Sequence, residues 1–191
     1  MGHFYAMMAR MRLIGRWGLM AARAPENVAE HSLMTAVLAH ALATIARDVR
    51  GRDGIDPDRC AAAALFHDAP EILTGDLPTP VKYFSPGIRE AYREVESAAT
   101  GKLLSMLPEP MRARYRAFWE PPDSDTERFV RAADKLSAYV KCLEEIRAGN
   151  GEFRDAARLT KEKLDAMEMP ELEIFFAEFL PSFSLTLDEM E

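Results

Sequence analysis

Histidine and cysteine are scarce in this chain: 191 residues contain four of the first and two of the second. Cys60 and Cys142 are far apart, in apolar stretches that read as helix. That spacing excludes a disulfide framework or a thiolate metal site, and leaves buried free thiols in a reducing cytoplasm as the expectation. No apolar run reaches the roughly 18 residues that cross a bilayer, so no membrane partner is expected. Positive charge is short as well. Lys and Arg number 24 against 31 Asp and Glu, a net charge of -7. Bulk nucleic acid is therefore not an expected partner, because phosphate backbones need a basic face. The first 25 residues are the local exception, with Arg10, Arg12, Arg16 and Arg23 and no acidic residue. The arginines break up any signal-peptide apolar core, and Phe4, Met7, Met8 and Met11 recur at helical spacing. A structural first helix is thus expected rather than a targeting segment. A basic segment on an acidic protein is also a place to receive an anion.

Hydrophobic residues make up 48% of the chain, enough for one core, whereas two independent domains would be cramped. No internal repeat, low-complexity linker or convincing strand alternation interrupts it. Asn27, with Glu30 three residues on, predicts a capped helix to about Asp48. Asp56-Pro57 starts the next helix, which Pro70 should kink or end. Gly75 to Pro80 reads as a stiff loop. Ser85-Pro86 opens a long helix with the stripe Ile88, Tyr92, Val95, Ala99 and Leu103, and a short helix spans about Met111 to Trp119. After a turn at Glu120-Pro121-Pro122-Asp123, Ser124 and Glu127 predict a capping box. The helix they start carries Phe129, Ala133, Leu136, Val140 and Leu143 and ends at Gly149-Asn150-Gly151. Two further helices, one from near Pro170, and a tail from Pro181 complete a single all-α domain over residues 1–191, a helical bundle.

Against that background His67-Asp68 stands out, because an imidazole and a carboxylate close an apolar run, Ala63-Ala64-Leu65-Phe66. Buried charge is stabilised by pairing, hydrogen bonding or a metal, and imidazole with carboxylate suits a shared cation. His31 and His40 lie nine positions apart on one helix, roughly 180° around it, so they cannot share a site. His40 among Ala39, Ala41 and Leu42 reads as a core or interface histidine, and His3 as a surface one. His31 and His67 remain as imidazole ligands. Asp134 sits at the edge of its apolar stripe, where a pocket-facing side chain would point; its alternative is an ion pair with Arg131. Glu71, four residues after His67 and three after Asp68, shares their face if the helix continues.

The order His31, His67-Asp68, Asp134 resembles the HD-domain superfamily of all-helical, metal-dependent phosphohydrolases. Arg16-Trp17, Asn27-Val28-Ala29-Glu30-His31-Ser32, His67-Asp68-Ala69-Pro70-Glu71, Thr74 to Lys82, Lys141 to Glu145 and Pro181 to Leu185 are similar, within it, to the bacterial 5'-deoxynucleotidases. The resemblance covers essentially the whole chain. It implies that His31, His67, Asp68 and Asp134 ligate one divalent ion, and that Arg16 binds the 5'-phosphate. Trp17 then orients the nucleotide and discriminates against ribose. Glu71 and Asp76 act on water and leaving group, and Asp76, Leu77, Pro78 and Thr79 line the substrate.

These residue types suit the reaction. Phosphomonoester hydrolysis needs charge neutralised on the phosphoryl oxygens, an activated water and an in-line leaving oxygen. The arginine fork matches a phosphate as no lysine can. Glu71, near the ligands without being one, is the better base; Asp76 could protonate the 5'-oxygen or position water. Too few histidines remain for a binuclear centre, so a single Co, Mn, Fe or Zn ion is expected. The expected substrate is a deoxyribonucleoside monophosphate. Another nucleotide phosphohydrolase, or a non-catalytic metal-stabilised nucleotide sensor, are the alternatives. The Met-rich N-terminal helix and Phe175, Phe176 and Phe179 raise a homodimer, although packing within one chain accounts for them equally.

Overall fold

Asn27 fixes where the central helix begins. Its side chain accepts from the backbone N–H groups of Ala29 and Glu30, and the Glu30 carboxylate accepts from the Asn27 N–H. This closed capping box starts α2, Val28–Thr44, which runs on through a wider π-type turn, Ile45–Val49. In this computed structural model, which describes residues 2–121 and 123–190, no strand occurs among the described residues. Asp56 caps α3, Pro57–Phe66, with Pro57 in the first turn, where its missing N–H costs nothing.

The N-terminal segment forms α1, Phe4–Met8, and a 3-10 turn, Met11–Leu13. Phe4 and Met11 are buried, as the helical spacing of the apolar residues predicts. Beyond α3, short turns α4, Glu71–Thr74, and α5, Thr79–Lys82, flank the Gly75–Pro78 stretch. Then follow α6, Pro86–Ser105, α7, Glu109–Trp119, and α8, Ser124–Arg147. The chain closes with α9, Arg154–Asp165, α10, Pro170–Glu178, and two 3-10 turns.

The main core lies where α2, α3 and α8 meet. Leu38, Leu42, Ala64, Phe129, Ala132 and Leu136 are buried there, closed off by Leu164, Leu172 and Phe175 from the last two helices. The alanines of α3 let it lie close to α2, and burial of this apolar surface is the main stabilising term. A smaller cluster joins Phe4 and Met11 to Val28, Ala69, Leu103 and Leu107. The fold is a single all-α domain.

Several expectations need correction. The α8 cap is Asp123, not Ser124: its carboxylate accepts from the Thr126 N–H and hydroxyl, and an anion at a helix start is the better acceptor. Pro122 of the predicted turn lies outside the described residues. The α6 stripe is buried only in its last turns, at Ala99, Leu103 and Leu104; Ile88 and Val95 are exposed, where the short turns α4 and α5 offer α6 little surface to pack on. His40 is exposed, 3.4 Å from Asp58, so it is not a core histidine. Finally, Val28–Val49 is long and apolar enough to cross a membrane by length and composition. Helical geometry adds the π-type turn to α2, and half of that span is buried inside the protein.

Candidate active site

Three core helices deliver the clustered polar side chains. His31 enters from the second turn of α2 and is fully buried; Asp134 comes from the middle of α8, and His67-Asp68 from the end of α3. Ligand atoms of His31, His67 and Asp134 all lie within 4.8 Å of one another. Asp68 Oδ2 is 3.1 Å from His67 Nε2 and 3.5 Å from His31 Nε2. Asp134 Oδ1 is 3.2 Å from His31 Nε2. Arg131 pairs with Glu127 instead, at 3.6 Å, so the alternative reading of Asp134 does not hold.

Each imidazole is oriented by its other nitrogen. His67 Nδ1 donates to the Ala64 carbonyl at 2.6 Å, which puts a proton there and turns Nε2 inward. That Nε2 is buried without a hydrogen-bond partner. Ser137 Oγ lies 3.2 Å from His31 Nδ1, placed to hold the second ring in the same way. Burial works against a charged His67, yet the Asp68 and Asp134 carboxylates outweigh it and raise its pKa to about 9. The same cluster lowers Asp134: burial opposes the charge, and His31 and His67 overcome that. Inward-facing imidazole nitrogens beside carboxylates that draw positive charge are a donor set suited to a divalent cation.

Around this cluster lies a cleft of about 370 Å³, lined among others by Arg16, Trp17, Asp76, Pro78, Thr79 and Asp134. That volume is within the small-molecule range. Leu77 is not among its lining residues. Arg16 links cleft and cluster, since Nη1 donates to Asp68 Oδ2 at 3.2 Å while Nε donates to Glu26 Oε2 at 3.1 Å. Trp17 donates from Nε1 to the same Glu26 oxygen at 2.8 Å and packs on Phe153, ring centroids 5.2 Å apart. Its φ of +61° is left-handed, a conformation that costs a bulky residue energy and clusters at functional sites.

Pro70 ends the helical run, so Glu71 starts a new turn rather than extending α3. It is nevertheless 9% exposed, with Oε2 buried and unpartnered. Burial first, then the charges of Asp68 and Asp76, raise its pKa to about 9. Burial also raises Asp76, against the pull of Arg16. Tyr92, read from sequence only as part of a stripe, donates to the Gly75 carbonyl at 3.3 Å and steadies the turn where Gly75 has φ +74°.

Sequence reasoning missed four supporting residues. Glu26 anchors both Arg16 and Trp17. Glu145, 1% exposed, accepts from the Arg23 and Ala24 N–H groups, Asn150 and Lys141. Lys141 also donates to the Ala24 carbonyl. Lys135 Nζ sits 3.8 Å from Asp134 Oδ2 on the cleft wall. Lys135 carried a signal in its adjacency to Asp134, and Lys141 and Glu145 in their i,i+4 spacing within a segment that bears the resemblance; Glu26 acts from a loop without pattern.

The fold is the one shared by HD-domain phosphohydrolases. An HD-domain phosphohydrolase from Listeria innocua superposes with a TM-score of 0.80 at 23% identity, over 95% of this chain and 88% of that one. An HD phosphohydrolase of cyanophage S-2L, whose structure holds dA and one catalytic Zn²⁺ ion, has a TM-score of 0.68 at 21% identity, over 93% and 96%. Residues 3–183 match the family described as 5'-deoxynucleotidase YfbR-like. A 5'-deoxynucleotidase of Vibrio parahaemolyticus is 48% identical over 190 residues, 98% of this chain and 97% of the relative. That of Erwinia tasmaniensis is 46% identical over 98% and 96%. The chain belongs to this family of 5'-deoxynucleotidases, metal-dependent hydrolases of phosphomonoesters.

Proposed function

We propose that the chain hydrolyses deoxyribonucleoside 5'-monophosphates to deoxynucleoside and phosphate, using His31, His67, Asp68 and Asp134 to hold one Co, Mn, Fe or Zn ion. The observation that carries this reading is Arg16: one side chain faces the cleft and also touches Asp68 of the ligand cluster. A phosphate gripped by that guanidinium sits beside the cation position with the nucleoside extending along the cleft. When bound, the ion supplies Lewis acidity for phosphoryl oxygen and water, and the positive charge that lets Glu71 ionise.

The chain's own groups divide the remaining work. Arg16 neutralises and orients the phosphate through its fork, with Lys135 as a second cation. Trp17, fixed by Glu26 and Phe153, presents a rigid indole to the sugar, where an added 2'-hydroxyl meets a wall. Asp76, on the cleft side, holds a proton for the departing 5'-oxygen, and Pro78 and Thr79 border the nucleoside; Leu77 keeps a backbone role in that stretch. Glu71 takes the proton of the attacking water. Buried, unpaired Cys60 and Cys142 support a cytoplasmic location. Exposed Leu33, Met34 and Val37 on α2, with Phe179 half exposed, support a homodimer in solution.

Phosphate release from the four deoxynucleoside monophosphates and from AMP, with Co²⁺ or Mn²⁺ and then with EDTA, tests the reading. Activity that survives chelation would contradict the centre, and equal activity on AMP and dAMP would contradict the substrate.

A further inference from the structure

A second cavity, about 550 Å³, opens on the other side of His67-Asp68, between the α3–α4 junction, α6 and α7. It shares no lining residue with the substrate cleft. Buried polar atoms need partners, and those without one concentrate here. Five such side-chain atoms occur among the described residues, and three belong to residues that line this cavity: His67 Nε2, Glu71 Oε2 and Trp119 Nε1. The first is assigned to the cation. The glutamate oxygen and the indole N–H remain, one an acceptor and one a donor, buried behind the wall of a space that holds several waters.

In-line displacement fixes which side is which. The attacking oxygen must approach phosphorus opposite the breaking P–O5' bond. The nucleoside lies in the Arg16–Trp17 cleft, so the attacking side faces Glu71 and this second cavity. We infer that the cavity is a separate water port, which delivers the nucleophile to Glu71 from behind while nucleotide and phosphate use the cleft alone. The step balances: water oxygen bonds to phosphorus and its proton passes to Glu71. The P–O5' bond breaks and the 5'-oxygen takes the Asp76 proton, giving deoxynucleoside and phosphate. The lining sets the port's selectivity. The carboxyl groups of Asp68, Glu71, Glu96 and Glu120 outnumber the basic groups His67 and Arg116, and Arg116 is itself 3.4 Å from Glu120. Such a wall passes neutral water and repels a phosphate dianion.

The port inference rests on the proposed hydrolysis, and one experiment separates them. Ser97 and Gly101 lie one helical turn apart on the lining face of α6, and a Cβ at Gly101 meets nothing within 4 Å. The metal-loaded double variant Ser97→Phe, Gly101→Phe should lower kcat about tenfold and leave KM for dAMP within about twofold. Gly101→Phe alone should give an intermediate fall, and Ala98→Phe, exposed on the same helix, none. Thermal unfolding and dAMP affinity report that the variants are folded; should the double variant not fold, the single one decides. An unchanged kcat in the folded variant, or a raised KM with kcat intact, overturns the port while leaving the hydrolysis standing. A wild type inactive on every deoxynucleotide defeats the hydrolysis itself. A high-resolution crystal structure supplies a second readout. Ordered water on Glu71 Oε2 and Trp119 Nε1, continuous with the surface, is expected, and a dry or nucleotide-filled cavity overturns the inference.

Discussion

The two halves of the active site are held by different physics. His31, His67, Asp68 and Asp134 stand on or directly after helices whose other faces form the main core, so apolar burial fixes their positions. Arg16 and Trp17 lie between Gly15 and Glu26, a stretch without regular helix that touches the body through a bridge between Gly15 and Asn27, the half-buried Glu26 carboxylate and the buried Glu145 carboxylate. Packing sets the proposed cation donors, and charged hydrogen bonds set the proposed substrate contacts. The second arrangement can be broken one carboxylate at a time.

The largest expected effect comes from breaking the packed half. Asp134→Ala or His67→Ala should cut activity by about a thousandfold or more, with less than one ion per chain by elemental analysis. Next, Glu145→Ala removes the acceptor of four donors and leaves Lys141 buried without its partner. A loss of about 3–5 kcal/mol is expected, read as a lower Tm and denaturation midpoint. Trp17→Ala should erode the dAMP over AMP ratio of kcat/KM by about tenfold or more. An unchanged ratio would sink its assignment to the sugar. Glu26→Gln, which keeps the shape but weakens the grip on Arg16 and Trp17, should raise KM for dAMP about fivefold with little change in kcat.

The smallest effect is a matter of pH. Burial works against the Glu145 charge, but hydrogen bonds from Lys141, the Arg23 and Ala24 N–H groups and Asn150 overcome it and hold the carboxyl at about 2. A depressed carboxyl contributes stability above its unfolded pKa and loses it as pH falls through the folded one. The Glu145 contribution is therefore full above about 4.5 and fades toward 2. Glu145→Gln should flatten the fall in Tm over that window; an equally steep fall would show that other carboxylates carry the acid sensitivity.

The packed half was the legible one. His31, His67-Asp68 and Asp134 announce themselves as polar residues in apolar periodicity, and the Asn27 and Asp56 caps are local signals read within four residues. Periodicity was less reliable where a helix lacks a partner: the first half of α6 carries an apolar stripe that stays exposed, because only short turns lie beside it. Glu71 shows a subtler limit. Its place on the face of His67 is expected only if the helix continues; Pro70 ends the run, as its position predicts, and Glu71 is buried all the same. The partners of Glu26 and Glu145 were illegible for a plain reason. Acidic residues in a loop and on a helix look solvated until an irregular stretch, here Arg16 to Ala24, folds onto them.

Metal content and steady-state kinetics measured together on Glu26→Gln test most directly the claim that the two halves are independently built. One ion per chain should be retained at wild-type affinity while KM for dAMP rises; loss of the ion along with the substrate would contradict it.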